Sequence, residues 1–114
     1  MNTTGISIGG RKKVCPDDII LMKADVNYSV LYLTNGSKII VATTLKTLEA
    51  RFSQCMFFRT DKSYLINLRY VLDEAEYYPH DISLNNIQLQ NDFTVKISRR
   101  KKLPFLGVYE TLQK

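Results

Sequence analysis

Positive charge is concentrated where this sequence offers chemistry. Arg59 and Lys62 belong to a short polar insert, Arg59-Thr60-Asp61-Lys62-Ser63, flanked by Phe57-Phe58 and Tyr64-Leu65-Ile66-Asn67, and a basic run, Lys96-Ile97-Ser98-Arg99-Arg100-Lys101-Lys102, follows later. A cation held on a rigid tip is placed to meet an anion. With 16 Lys and Arg against 11 Asp and Glu, the formal charge of +5 favours polyanionic partners, nucleic acid or an acidic membrane surface, without bearing on fold. Catalysis lacks its parts. There is no Gly-rich phosphate loop, no Gly-x-Ser-x-Gly elbow and no metal-ligand cluster, and any Ser or Cys triad has to be built on the sole histidine, His80. His80, between Pro79 and Asp81, reads as a surface turn residue, and the acidic groupings Asp17-Asp18 and Asp73-Glu74-Glu76 sit at turns with no obvious pocket. Cys15 and Cys55 lack metal-ligand spacing and read as inert small hydrophobes in a reducing compartment. The expectation is a non-enzyme with no cofactor, no metal and no small-molecule substrate.

The elements that position these cations read mainly as strands. Residues 57–67 suit a strand, an exposed tip and a returning strand, because aromatic and β-branched flanks fit a pleated surface while Thr, Asp, Lys and Ser favour a turn. Earlier, Ile6-Ser7-Ile8, Gly9-Gly10 and Lys12 to Cys15 form a first hairpin. Ile19-Ile20-Leu21-Met22 is a continuous apolar run of strand length, buried on both faces. Lys23 to Asn27 is polar enough to be a loop, and Tyr28 to Leu33 and Lys38 to Ala42 form a hairpin around Asn35-Gly36, a type I′ signal. One short helix is expected. Thr43 or Thr44 caps it, and Leu45, Leu48 and Phe52 give it one apolar face. A strand at Val71 precedes a mildly acidic patch, Asp73 to Glu76, a turn at Tyr77 to Asp81, a strand at Ile82-Ser83-Leu84 and a turn at Asn85-Asn86. Ile87 to Gln90 and Phe93 to Ile97 alternate as strands, and Leu103 to Glu110 adds a last helical turn or irregular cover. With 114 residues, 45% hydrophobic and 24% charged, one domain over 1–114 is expected. The N-terminus lacks a signal-peptide pattern and no window approaches the roughly 20 apolar residues that span a bilayer, so a soluble cytoplasmic protein is expected, with no membrane partner.

These segments together resemble the LytTR-type DNA-binding domain, the output module of many bacterial two-component response regulators. The resemblance is carried, in the family's order, by Asp18 to Met22 leading to Ala24 and Asn27-Tyr28; by Thr44-Leu45-Lys46-Thr47-Leu48-Glu49; by Phe57 to Asn67; by the Val71 strand with the hairpin after it; and by Val95-Lys96-Ile97-Ser98-Arg99-Arg100. It spans about residues 18 to 102. It implies a mainly β fold, an elongated arrangement of small antiparallel sheets, which lays connecting loops into successive major grooves of double-stranded DNA. A second copy on an adjacent direct repeat is a further implied partner, and no receiver domain is found in this chain. Asn27 in the first loop, Lys62 in the second and Arg99 in the third are the implied base contacts. Arg pairs with guanine, Asn with adenine, and Lys with guanine or phosphate. Lys46, Arg59, Ser63, Arg100, Lys101 and Lys102 are the candidate DNA backbone contacts.

The chain departs from the family pattern in two loops. Asp61 stands where the family usually has a histidine, and Lys23-Ala24-Asp25-Val26-Asn27-Tyr28 lacks the usual Glu and Gly. Asp61 has several readings: orienting Arg59 or Lys62, accepting from a cytosine amino group, or repelling phosphate. Arg59 reads equally as an internal ion-pair donor, Asn27 as a turn former, Tyr28 as core, and Lys62 and the Arg99 run, taken alone, as solvated charge. The rival function is a protein-interaction or decoy module of the same fold that modulates another regulator. The retained cations Lys62, Arg99 and Arg100 weigh against it. RNA binding through sheet aromatics is weakened because the aromatics alternate as core.

Overall fold

The computed structural model describes residues 5–72 and 86–113. Its centre is β3 (Ile19–Asp25), in which Ile19, Ile20, Leu21 and Met22 are all 0–1% exposed. Burying each such side chain stabilises by roughly 1.5–3 kcal/mol. β3 is the middle strand of a five-stranded antiparallel sheet ordered β5-β4-β3-β7-β6, where β4 is Tyr28–Leu33, β5 Lys38–Val41, β6 Phe57–Arg59 and β7 Tyr64–Asn67. Two further two-stranded sheets pair β1 (Ile6–Gly9) with β2 (Lys12–Val14) and β8 (Asn86–Leu89) with β9 (Phe93–Lys96). The mainly β class and the small antiparallel sheets are therefore as expected.

Because the central sheet is apolar on both faces, each face is covered. On one, Ile19, Met22, Leu31 and Leu65 pack with Ile8 and with Leu45, Leu48 and Phe52 around α1 (Leu45–Arg51). On the other, Ile20, Leu21 and Ile66 pack with Ile87, Leu89 and Val95 of β8 and β9 and with Phe105, Leu106 and Tyr109 of α2 (Arg99–Gln113). Thr44 caps α1, its Oγ1 accepting from the Thr47 N–H at 3.3 Å. The first hairpin is tied on by side chains: buried Ser29 donates to the Thr43 carbonyl at 2.6 Å, and Thr43 donates to the Ile8 carbonyl at 2.6 Å. Gly9 is needed beside that contact, since a Cβ there would lie 2.4 Å from Thr43 Oγ1 and its φ is +123°.

The structure corrects several expectations. Among the described residues there are two α-helices, not one: α2 runs through Pro104, which lies in its second turn and forfeits one backbone bond. Phe105, Leu106 and Tyr109 form an apolar stripe whose burial outweighs that loss, with Phe105 edge-on to Phe58 at 5.6 Å between ring centroids. Residues 23–25 extend β3 instead of forming a loop, because Lys23 pairs with both Val30 and Tyr64. The second hairpin forms, but not around a two-residue type I′ turn. Gly36 N–H donates to the Leu33 carbonyl at 3.1 Å, with φ of +90° at Gly36 only. Val71 makes a single bridge to Leu89 after a 3₁₀ turn, Leu68–Tyr70, and not a strand. The acidic patch, the turn around His80 and the strand expected at 82–84 lie outside the described residues.

Asn67, 3% exposed, joins the N-terminal segment to the sheet. Its Nδ2 donates to the carbonyls of Ile19 (2.9 Å) and Pro16 (3.3 Å), and its Oδ1 accepts from the Arg69 N–H at 2.9 Å. Asn67→Ala removes three hydrogen bonds in a buried setting and is expected to cost about 1–3 kcal/mol. A lower urea midpoint at unchanged slope is the measurement that checks it; an unmoved midpoint would show that Asn67 is dispensable.

Candidate nucleic-acid interface

Strand register gathers the sequence's candidate residues at one end of the central sheet. β3 ends at Asp25, paired with Tyr28, so Val26 and Asn27 form a two-residue turn there. β7 begins at Tyr64 opposite Lys23, which puts the Asp61-Lys62-Ser63 loop at the same end. The Ala24 N–H donates to the Ser63 carbonyl at 2.8 Å and joins the two. Ser98 then donates twice to the Thr60 carbonyl, from its N–H and its Oγ, each at 3.3 Å, which anchors the start of α2 beside that loop. β5 reaches this end at Val41, paired with Ser29, and Lys46 follows in the first turn of α1. Asn27, Lys62, Arg99, Arg100 and Lys46 are exposed, while Ser63, Lys101 and Lys102 are half-buried.

Arg59 lies beneath this surface with only 20% of its side chain exposed. Nε donates to the Asp61 carbonyl at 2.8 Å, Nη2 to the Lys62 carbonyl at 3.0 Å and Nη1 to Glu49 Oε1 at 2.7 Å. Three of its five N–H groups are thus spent inside the domain, holding the backbone of the loop that presents Lys62. The ion pair with Glu49, half exposed, contributes little energy, but it compensates a carboxylate that would otherwise face the cations. Asp61 has a structural part as well: its Oδ1 accepts from the N–H groups of Ser63 (2.7 Å) and Tyr64 (3.2 Å), closing the loop from the other side. This loop-shaping part is none of the roles its sequence position suggested; the carboxylate is hydrogen-bonded to the backbone of its own loop and not to Arg59 or Lys62. Lys101 Nζ sits 5.9 Å from the Phe58 ring centroid, a cation–π distance. Arg59, Asp61, Lys62, Ser63, Arg100 and Lys101 border one open depression of about 540 Å³.

Some of this was not legible in sequence. Arg99 and Arg100 are the first residues of a helix and not part of a loop, so the third candidate element is a helix start, whose dipole favours negative charge. Tyr28 is 52% exposed at the sheet end, not core. Glu49 and the Thr60–Ser98 link were missed; both join segments ten or more residues apart, and no local pattern announces them. Asp61 did carry a signal, the Asp-x-Ser spacing of an Asx turn. Burial, with smaller contributions from nearby Asp17 and Cys15, pushes the Cys55 thiol up, so it is less of a thiolate at neutral pH. Among the described residues no grouping of His, Cys, Asp and Glu could hold a metal ion, and no helix is long and apolar enough to cross a membrane.

A mainly β domain of small antiparallel sheets, with exposed cations and an amide-bearing turn at one end of the central sheet, suits an anionic partner. The sequence matches the model of the LytTr DNA-binding domain over residues 9–107, and the chain belongs to that family. Its structure is similar to the LytTr DNA-binding domain of a Bacillus cereus protein described as a methyl-accepting/DNA response regulator, with a TM-score of 0.70, 14% identity, and 95% of this chain and 96% of that one covered. At that identity the likeness speaks for the fold alone. No curated protein matches the sequence. The family is one of DNA binding in transcription regulation and is not catalytic.

Arg59→Lys keeps the charge but cannot bridge two carbonyls and a carboxylate at once. Protection of the Ser63 and Tyr64 amides from hydrogen exchange is expected to fall about tenfold, the equivalent of one lost hydrogen bond. Unchanged protection would mean that Asp61 alone holds the loop.

Proposed function

We propose that this chain, acting as one domain, reads duplex DNA sequence-specifically as a transcription regulator by setting the Val26-Asn27 turn, the Lys62 loop and the start of α2 into successive major grooves. Asn27, Lys62 and Arg99 contact base edges: the Asn amide suits adenine N6 and N7, the Arg fork guanine O6 and N7, and Lys guanine or a phosphate. Lys46, Ser63, Arg100, Lys101 and Lys102 contact phosphates and set register. Arg59, with two N–H groups left over, reaches a phosphate only as an adjunct to holding the loop. The observation that carries the proposal is the collection of exposed Lys46, Lys62, Arg99 and Arg100 with Asn27 at one sheet end, where nearby Glu49 is matched by Arg59 and Asp61 is turned to its own backbone. Two copies bind direct repeats spaced by one or two helical turns, about 10–21 base pairs, in a bacterial response-regulator setting within the cytoplasm.

Selection of the purified protein against random duplexes at two salt concentrations tests this reading. A short repeated motif that survives the higher salt is the expected result; uniform binding that vanishes with salt would leave only the electrostatic component and favour the decoy module. On the selected site, Arg99→Ala is expected to cost about 1–3 kcal/mol and relax preference at one base position. Lys46→Ala is expected to weaken all sequences alike and reduce the salt slope by about 1. Equal effects of both substitutions on every sequence would remove Arg99 from the base-reading set.

A further inference from the structure

Val26 occupies the turn between β3 and β4 under two conditions that ordinarily exclude valine. Its φ is +54°, while Asn27 beside it is not in the positive-φ region. A positive φ at the first central residue alone is the pattern of a type II′ turn, whose first position is ordinarily glycine, and a β-branched residue there is a backbone outlier. It is also 94% exposed, more than any other large hydrophobic among the described residues. Neither packing nor turn geometry accounts for two methyl groups held in water on a strained backbone. Strain of this kind persists where surrounding structure over-determines it, and here the six-pair β3–β4 ladder from Ile19–Leu33 to Asp25–Tyr28 does so.

We infer that Val26 is a specificity-determining residue that contacts the C5-methyl group of a thymine next to the base read by Asn27. The inference rests on the groove-reading function proposed above. Its chemistry follows from what valine lacks. With no donor or acceptor it cannot read an amino, keto or ring-nitrogen edge, and the apolar feature a base pair shows in the major groove is the thymine methyl. Adjacency in a two-residue turn keeps Val26 and Asn27 on neighbouring steps of one groove, so that an amide and a methyl pair read two positions together. A phosphate neighbour would gain nothing from the same side chain.

A cycle that deletes the methyl from either partner tests it. In the selected duplex each thymine is replaced in turn by uracil, which lacks only that methyl, and affinity is measured for the parent protein, Val26→Gly and Val26→Ala. One uracil position is expected to weaken the parent about fourfold, the scale of one methyl group's burial, while changing binding of both variants by less than about twofold. The glycine variant relieves the turn and the alanine variant keeps a Cβ, so agreement between them excludes loosening of the turn as the cause. If every uracil affects all three proteins equally, or none affects the parent, the methyl contact is overturned while sequence reading by Asn27, Lys62 and Arg99 stands. If the parent selects no sequence at all, the proposed function falls and this contact with it.

Discussion

β3 cannot be left to water on either side. Its apolar run Ile19 to Met22 sends side chains into both cores, and a strand of that kind is stable only between two layers. The rest of the architecture answers this requirement. The first hairpin and α1 cover one face, and the β8–β9 hairpin and α2 cover the other. The same strand, pairing with β4 and β7 at once, sets where their turns emerge. The make-up of the cationic end is thus a by-product of register: a one-residue slip of β7 would move Lys62 relative to Asn27 and turn Leu65 and Ile66 to the wrong faces.

Electrostatics on this end depends on disposing of carboxylates as much as on collecting cations. Two acidic residues of the family-like segments, Glu49 and Asp61, are engaged within the domain, the first by Arg59 and the second by the amides of its own loop. Asp25 stays exposed beside the first turn, where the exposed Lys46, Lys62, Arg99 and Arg100 outnumber it; an excess of positive charge suits steering toward a polyanion, with a salt dependence. Arg59 illustrates how a cation inside a cationic motif can serve by positioning. Its planar fork reaches two carbonyls and a carboxylate together, and a lysine has no such geometry.

Rigidity is the second requirement of a surface that reads by shape. The candidate elements are joined by backbone bonds, Ala24 to Ser63 and Ser98 to Thr60, so the first turn, the second loop and the start of α2 are placed relative to one another by the fold itself. Preorganisation of this sort lowers the ordering cost of binding. The valine in a left-handed turn conformation fits the same scheme, local strain held by the ladder beneath it.

Much of this molecule is legible from sequence because much of it is local. Alternating strands, the existence of the first two hairpins, the Thr44 cap with its Leu45, Leu48 and Phe52 stripe, and the cationic tip between β6 and β7 each depend on residues within a few positions of one another, where periodicity and propensity operate. The order of those segments carries the family as well. What required the tertiary structure is what depends on distant partners. β3 continues to Asp25 because β4 and β7 supply hydrogen bonds that polar Lys23 and Asp25 do not advertise. α2 passes through Pro104 because Phe105, Leu106 and Tyr109 find a core to bury in, which outweighs a local breaker. Arg59 proves to be a clamp because Glu49 arrives from another element. Sequence by itself determined most of the strands, the first helix and which charges they carry; the packed sheet decided where β3 ends, that α2 forms and which of those charges stay exposed, because only long-range pairing settles where each carboxylate, carbonyl and apolar stripe finds its partner.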